Sequence, residues 1–249
     1  MKNITNKKYN KKLFQENGFL IIENFLTKNE LISLRNYLNK IIENDELKFK
    51  LDKNKFKSKF WMKKSLTNDI LKFFVSNEKI VKFVKYLLMS EVYLWHSKFI
   101  VKEPKLGGAW EWHQDYSYWY YYNCLNSHLL SCFYSLTDMD KTNGCLQFLK
   151  GTHKLGRLDH HNIDGQNVVN NERIQFIENN FEKIYCEVPA SSLIIFDSNI
   201  LHKSSVNKSN KPRFSFICCY NSIHNTPFLE INGYSSKAVP IEIIKNYSI

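Results

Sequence analysis

Ser192–Tyr220 reads SLIIFDSNILHKSSVNKSNKPRFSFICCY. Leu193–Phe196 is a short apolar run of the kind that forms a buried strand, and Phe214–Tyr220 is a second run, rich in aromatic and sulfur-bearing residues. Between them Lys203–Pro212 is a polar turn, so the chain goes out along one strand, reverses and comes back along another. His202 closes the outward leg and Arg213 opens the return, which puts an imidazole and a guanidinium at the same end of the pair.

Outward from this segment, similar runs occur at Val92–Val101, Leu129–Thr137, Cys145–Leu149 and Ile184–Val188. They are β-branched or aromatic, irregularly spaced and separated by polar turns, with no strict alternation of strand and helix. This predicts an antiparallel sandwich or barrel rather than a doubly wound sheet, and a jelly roll fits best. Toward the N-terminus the signals change. Phe14–Phe25 reads as a short apolar strand entered through Asn17-Gly18, and Thr27 with Glu30 forms a capping-box pattern ahead of Leu31, Leu34, Leu38 and Ile41 at helical spacing. A further helix is predicted over 77–88, where Ile80, Val81, Val84, Leu87 and Leu88 make one apolar stripe. The expected organisation is a single domain, 1–249, mainly β, with 1–90 a mainly helical scaffold and 91–249 the jelly-roll core.

The Met1–Lys12 stretch is polar and basic, and nowhere is there an apolar run long enough to span a bilayer, so the expectation is a soluble cytoplasmic protein without a membrane role. Its six cysteines form no C-x-x-C pair and most sit in apolar runs, which reads as reduced core residues. The net charge of +11 is uneven. Residues 1–105 carry 23 Lys and Arg against 11 Asp and Glu, and 106–249 carry 12 against 13. The densest stretch, Lys48–Lys64 (KFKLDKNKFKSKFWMKK), is a surface that an acidic carrier protein can use. No nucleic-acid motif accompanies it, and Lys and Asn are abundant throughout, so nucleic acid is not the expected partner.

In Trp110–Trp119 (WEWHQDYSYW), His113 and Asp115 are two positions apart, and on a strand such residues project from one face. A single H-x-D is weak; His202 supplies a third ligand. Two imidazoles and one carboxylate make the facial triad that suits iron(II) and leaves adjacent coordination positions open. Arg213, eleven residues after His202, can fork both oxygens of a carboxylate, and Ser204 can add a hydroxyl to the same group.

These residues resemble the phytanoyl-CoA dioxygenase-like 2-oxoglutarate oxygenases. The resemblance runs along nearly the whole chain, through Gly18-Phe19-Leu20-Ile21-Ile22, Trp112–Asp115, Asn143-Gly144-Cys145-Leu146, Gly151-Thr152-His153-Lys154 and His202-x-Ser204 with Arg213. It implies a double-stranded β-helix (cupin-like jelly roll), iron(II) on His113, Asp115 and His202, the distal carboxylate of 2-oxoglutarate on Arg213, and Phe133 lining that pocket. It implies hydroxylation of an organic metabolite with O2 and 2-oxoglutarate consumed and succinate and CO2 released. In similar members an aromatic at the position of Trp119 borders the substrate. Two departures stand out: Ala190-Ser191-Ser192 replaces a Gly-Asp turn, and the place of an N-terminal lysine seen in some members falls near Trp61. Asp115 argues against the halogenase branch, which lacks the carboxylate.

Around this core, Tyr118 and its neighbouring aromatics can enclose a cationic group, and His96, Lys98 and Lys102 alternate onto one face of their strand. Together they suggest a small polar or zwitterionic substrate. His153 reads as structural and His160-His161 as a surface pair. The competing readings are a cupin-like metal protein without 2-oxoglutarate chemistry and a binding protein acting through Lys48–Lys64.

Overall fold

The protein is described here from a computed structural model, which covers residues 6–66 and 69–245; the start of the Met1–Lys12 stretch lies outside them. Helix α1 (Lys7–Asn17), strand β1 (Phe19–Ile22) and helix α2 (Lys28–Glu43) lead to a hairpin of β2 (Lys48–Leu51) and β3 (Lys57–Lys63). Helices α3 (Ile70–Ser76) and α4 (Glu78–Leu88) precede the long strand β4 (Val92–Lys102). Strand β5 (Trp110–His113) passes into helix α5 (Asp115–Tyr121), followed by β6 (Leu129–Ser135), β7 (Leu146–Leu149), β8 (His160–Ile163) and β9 (Gln166–Val169). Helix α6 (Asn171–Asn180) then leads to β10 (Lys183–Tyr185), β11 (Leu193–Asp197), β12 (His202–Ser204) and β13 (Arg213–Ser222).

The strands form a seven-stranded sheet in the order β1-β11-β6-β13-β4-β3-β2 and a four-stranded sheet β10-β7-β12-β5, with β8 and β9 as a separate hairpin. The pairings within these sheets are antiparallel. The out-and-back reading of 192–220 is corrected: β11 and β13 do not pair, each is antiparallel to the β6 that lies between them, and so they run parallel to one another, the chain crossing to the small sheet through β12 on the way. Side-chain parity then builds two layers. From the large sheet Leu20, Leu193, Ile195, Cys132, Phe216 and Cys218 pack outward against Leu34, Leu38, Phe74, Ile80 and Val84 of the helices. Their neighbours Phe19, Ile194, Phe196, Phe133 and Ile217 point inward, where Phe19 stacks on Phe148 of the small sheet at 4.7 Å. The far face of the small sheet is covered by α6, through Ile174 and Ile177 against Trp112 and Leu149.

Helix α2 starts as the sequence indicates: Thr27 accepts from the Glu30 amide and Glu30 accepts from the Thr27 amide. α4 begins after its Asn77 cap and buries the predicted stripe. The glycine motifs also acquire a cause. Gly18 ends α1 at φ 82° with its Cα against His153, so a Cβ there would collide with the imidazole, while His153 is bonded to the Gln15 carbonyl. At Gly144, φ 80°, a Cβ would strike the Ser205 carbonyl. All six cysteines are buried and unbridged.

Residues 1–90 hold the four helices α1 to α4 but also supply strands to the sheet. β1 completes one edge of the large sheet, and β2 and β3 extend the other. Lys48–Lys64 is thus a sheet hairpin whose alternation of lysines with Phe49, Leu51, Phe60 and Met62 is a strand pattern masked by its charge. Several of its lysines are paired, Lys55 with Asp164 at 2.9 Å and Lys59 with Glu103 at 2.8 Å. Helix α1 was not foreseen because its sequence is dominated by Lys and Asn; Phe14 anchors it in the core. No helix among the described residues is long and apolar enough to cross a membrane.

Candidate metal centre and co-substrate pocket

His113 and His202 are cross-strand partners on β5 and β12 of the small sheet, with ring centroids 4.1 Å apart. Asp115 joins them from outside the sheet. The expectation that His113 and Asp115 share a strand face is corrected: β5 ends at His113, and Asp115 is the first residue of α5. The turn between strand and helix, rather than the pleat, aims the carboxylate, and its Oδ1 lies 3.9 Å from Nε2 of each histidine. The three potential ligand atoms are all within 4.8 Å of one another.

The partners of these groups orient them. His113 Nδ1 contacts the Glu111 carbonyl at 2.7 Å and His202 Nδ1 the Ile200 carbonyl at 3.0 Å. A carbonyl only accepts, so each Nδ1 carries the proton and each Nε2 presents its lone pair to the centre. Ser131 donates to Asp115 Oδ2 at 2.8 Å and leaves Oδ1 facing inward. Burial and the neighbouring His202 charge push His113 well below the usual imidazole range, and burial likewise lowers His202. Burial raises the Asp115 pKa, but Lys98, His202, His113 and the Ser131 bond outweigh it and hold the carboxyl well below its usual range. At neutral pH the centre is two neutral imidazoles and a carboxylate, a donor set suited to a divalent metal.

Gln114, between two of these residues, is fully buried and ties the turn down. Its side-chain amide donates to the carbonyls of Asn199 at 2.6 Å and Gly156 at 2.7 Å, and its side-chain oxygen accepts from the Leu158 amide at 2.8 Å. Its backbone N–H donates to His160 Nε2 at 3.1 Å. His160 is therefore no surface residue as expected; its Nδ1 is held by the Leu158 carbonyl, and burial lowers its pKa to about 4. His161 is exposed and His153 structural, as read from the sequence.

Across the gap, Arg213 opens β13 of the large sheet and is 1% exposed. Its Nε and Nη2 have no hydrogen-bond partner, and its guanidinium lies 5.1 Å from the Phe133 ring centroid. A buried guanidinium with unmet donors is costly unless an anion completes it. Ser204 and Phe133 line the same cavity, so the structure gathers all three residues expected around a carboxylate. Lys102 shares the Lys98 face of β4 but is occupied, donating to the carbonyls of Gly108 at 2.7 Å and Ser205 at 2.6 Å.

The cavity between the sheets measures about 210 Å³ and is lined by the triad, by Arg213, and by His96, Lys98, Tyr118 and Trp119. Lys98 Nζ is 4.0 Å from Asp115 Oδ1. His96 reaches the cavity with Lys98 by the alternation of β4, and a bulge opposite Cys219 and Tyr220 turns Trp95 inward beside it. Among the liners that were not foreseen are Lys50, Trp110 and Tyr234. Tyr234 follows the tight turn at Asn232-Gly233, stacks on Trp95 at 4.1 Å and is 3.0 Å from His96 Nδ1. The Asn-Gly pair was its only signal in the sequence.

A jelly roll with such a triad between its sheets and a buried arginine facing it across the gap defines the class: an oxygenase dependent on iron(II) and 2-oxoglutarate. The chain belongs to the phytanoyl-CoA dioxygenase (PhyH) family, which it matches over residues 14–215. It is 27% identical to ectoine dioxygenase of Bordetella bronchiseptica over 86% of this chain and 74% of that protein. It is 24% identical to peroxisomal phytanoyl-CoA dioxygenase of Bos taurus over 94% of this chain and 74% of that one. The crystal structure of EctD from S. alaskensis in its apoform superposes with a TM-score of 0.79 at 18% identity, covering 95% of this chain and 86% of that chain.

Proposed function

We propose that this protein hydroxylates a small organic metabolite, consuming O2 and 2-oxoglutarate and releasing succinate and CO2, with iron(II) held by His113, Asp115 and His202. The observation that carries the reading is the pairing of a three-ligand centre with an unpartnered buried arginine on the facing sheet. Bound at the triad, iron(II) supplies the redox chemistry that couples O2 to the decarboxylation of 2-oxoglutarate. The protein's own residues position and exclude. The two histidines offer fixed Nε2 lone pairs because backbone carbonyls hold their Nδ1 protons. Arg213 and Ser204 receive the distal carboxylate, and Phe133 covers the guanidinium face. The apolar walls from Ile217, Leu146 and Phe196 keep water from the reacting atoms.

The Arg213 pocket argues against a cupin-like metal protein without 2-oxoglutarate. The buried, unbridged cysteines suit a reducing cytoplasm. An acidic carrier protein, if one delivers the substrate, would meet the exposed Lys48, Lys57 and Lys63 of the hairpin. The test is anaerobic: metal-stripped protein receives iron(II) and 2-oxoglutarate, and the visible charge-transfer band of the chelate is recorded. The band is expected in the wild type, weakened in Arg213→Ala and absent in His113→Ala. A folded protein that takes up iron and gives no band would overturn the proposal.

A further inference from the structure

The aromatic lining of the cavity looks built for a cation, but the protein has filled those faces itself. Lys50 Nζ lies 5.1 Å from the Tyr118 ring centroid and 5.9 Å from that of Trp110. Lys64 Nζ lies 4.4 Å from the Tyr234 ring and 5.9 Å from Tyr122, and also donates to the Asn232 carbonyl. A second ammonium entering here would meet two fixed ones, so the zwitterion-embracing role expected for Tyr118 and its neighbours is not what the arrangement favours.

The charge balance points the same way. Asp115 is the single carboxylate among the described residues that line the cavity. With iron(II) on the triad and dianionic 2-oxoglutarate on the metal and Arg213, the charges of ion, Asp115, co-substrate and guanidinium cancel. Lys98 and Lys50 remain. Lys203 does not add to them, since it leaves the cavity toward Glu178 at 3.5 Å and the Trp112 ring. The histidines are neutral. Lys50 is lowered from the usual lysine range by its own burial and by the charge of Lys98, so the two cations already feel each other across the space.

We propose that the substrate is a small molecule bearing an anionic group, a carboxylate or a phosphate, which Lys98 and Lys50 receive, while its apolar body lies against Trp119 and Tyr234. This rests on the oxygenase reading and names the substrate class for the same site. The anion would stand beside the metal centre, since Lys98 is in reach of Asp115, and the C–H to be oxidised would lie a few bonds from it.

The test titrates protein loaded with iron(II) and saturating 2-oxoglutarate under nitrogen, so that Arg213 is already filled, and follows tryptophan fluorescence. The probes share one ring and differ in charge: benzoate, phenyl phosphate, benzyl alcohol and benzyltrimethylammonium. Benzoate or phenyl phosphate is expected to bind at least about tenfold more tightly than the alcohol, with the ammonium weakest, and whichever is tighter separates carboxylate from phosphate. Lys98→Gln and Lys50→Gln should each weaken the anion by about tenfold or more, and Lys98→Arg should restore most of the loss. Circular dichroism of each variant checks the fold. Tighter binding of the ammonium, or anion affinity unchanged in the folded Lys98→Gln/Lys50→Gln double variant, would overturn the proposal. Succinate release from 2-oxoglutarate alone is measured in parallel. If that is absent while lysine-dependent anion binding persists, the oxygenase reading fails and the anion site stands; the opposite result rejects the anion site alone.

Discussion

Arg213 and Asp115 show how burial makes single residues specific. A guanidinium that is 1% exposed with two unmet donors costs stability in the free protein, and a carboxylate ligand repays that cost in the bound one. Arg213→Ala is accordingly expected to raise the KM for 2-oxoglutarate by about 100-fold or more, and Arg213→Lys to recover only part of it, because an ammonium cannot fork both oxygens. An unchanged KM in steady-state succinate assays would remove the role. Ser191 is a second residue whose environment is legible. It sits at φ 73°, a backbone conformation that favours glycine, and its carbonyl accepts the amides of Phe25 and Leu26. Ser191→Gly should relieve that strain and raise the thermal midpoint by about 2–4 °C, checked by calorimetry.

At the scale of elements, the junction of β5 and α5 governs the metal centre, and Gln114 governs the junction. Its side chain joins the loop at 156–158 to the Asn199 carbonyl just ahead of β12, so one amide fixes both routes to the ligands. Gln114→Ala should lower iron affinity by about 10–100-fold while leaving a folded protein, measured by metal titration against a competing chelator. The end of β11 gives a pH prediction. Asp197 accepts from the Asn199 amide at 2.8 Å, yet burial raises its pKa to about 7. An acid raised in the folded state binds its proton more tightly there than unfolded, so its stabilising effect is present at low pH and is lost as pH rises from about 4 to 7. Asp197→Asn keeps the acceptor without the charge. Its thermal midpoint should exceed the wild type's at pH 8 and match it near pH 4; equal midpoints at pH 8 would contradict the assignment.

For the whole molecule, the site belongs to neither sheet. His113 and His202 come from the small sheet, Lys98, Ser131 and Arg213 from the large one, and Asp115 from the helix that closes one end. Ligands that touch both layers must hold them together. Iron(II) with 2-oxoglutarate at 100 times its dissociation constant should stabilise the fold by about 2.7 kcal/mol, a rise in thermal midpoint of about 5–10 °C. Arg213→Ala should lose the part of that rise that depends on 2-oxoglutarate and keep the part due to metal, as read from scans with each ligand alone.

What the sequence by itself determined is what depends on spacing along the chain: the apolar runs that became β6, β11 and β13, the capping of α2, the apolar stripe of α4, and the identity of the candidate ligands. Alternation and capping act over a few residues, and the His-x-Asp, distal histidine and arginine lie in short motifs. Only the tertiary structure decided the rest. Lys48–Lys64 became a sheet edge because β3 found β4 as a partner. Trp95 turned inward beside His96 through a bulge created by pairing with β13. Lys50 and Tyr234 met the same pocket from segments more than 180 residues apart. Those outcomes follow from long-range pairing and from which charges burial leaves unpartnered, and neither quantity exists until the two sheets close on each other.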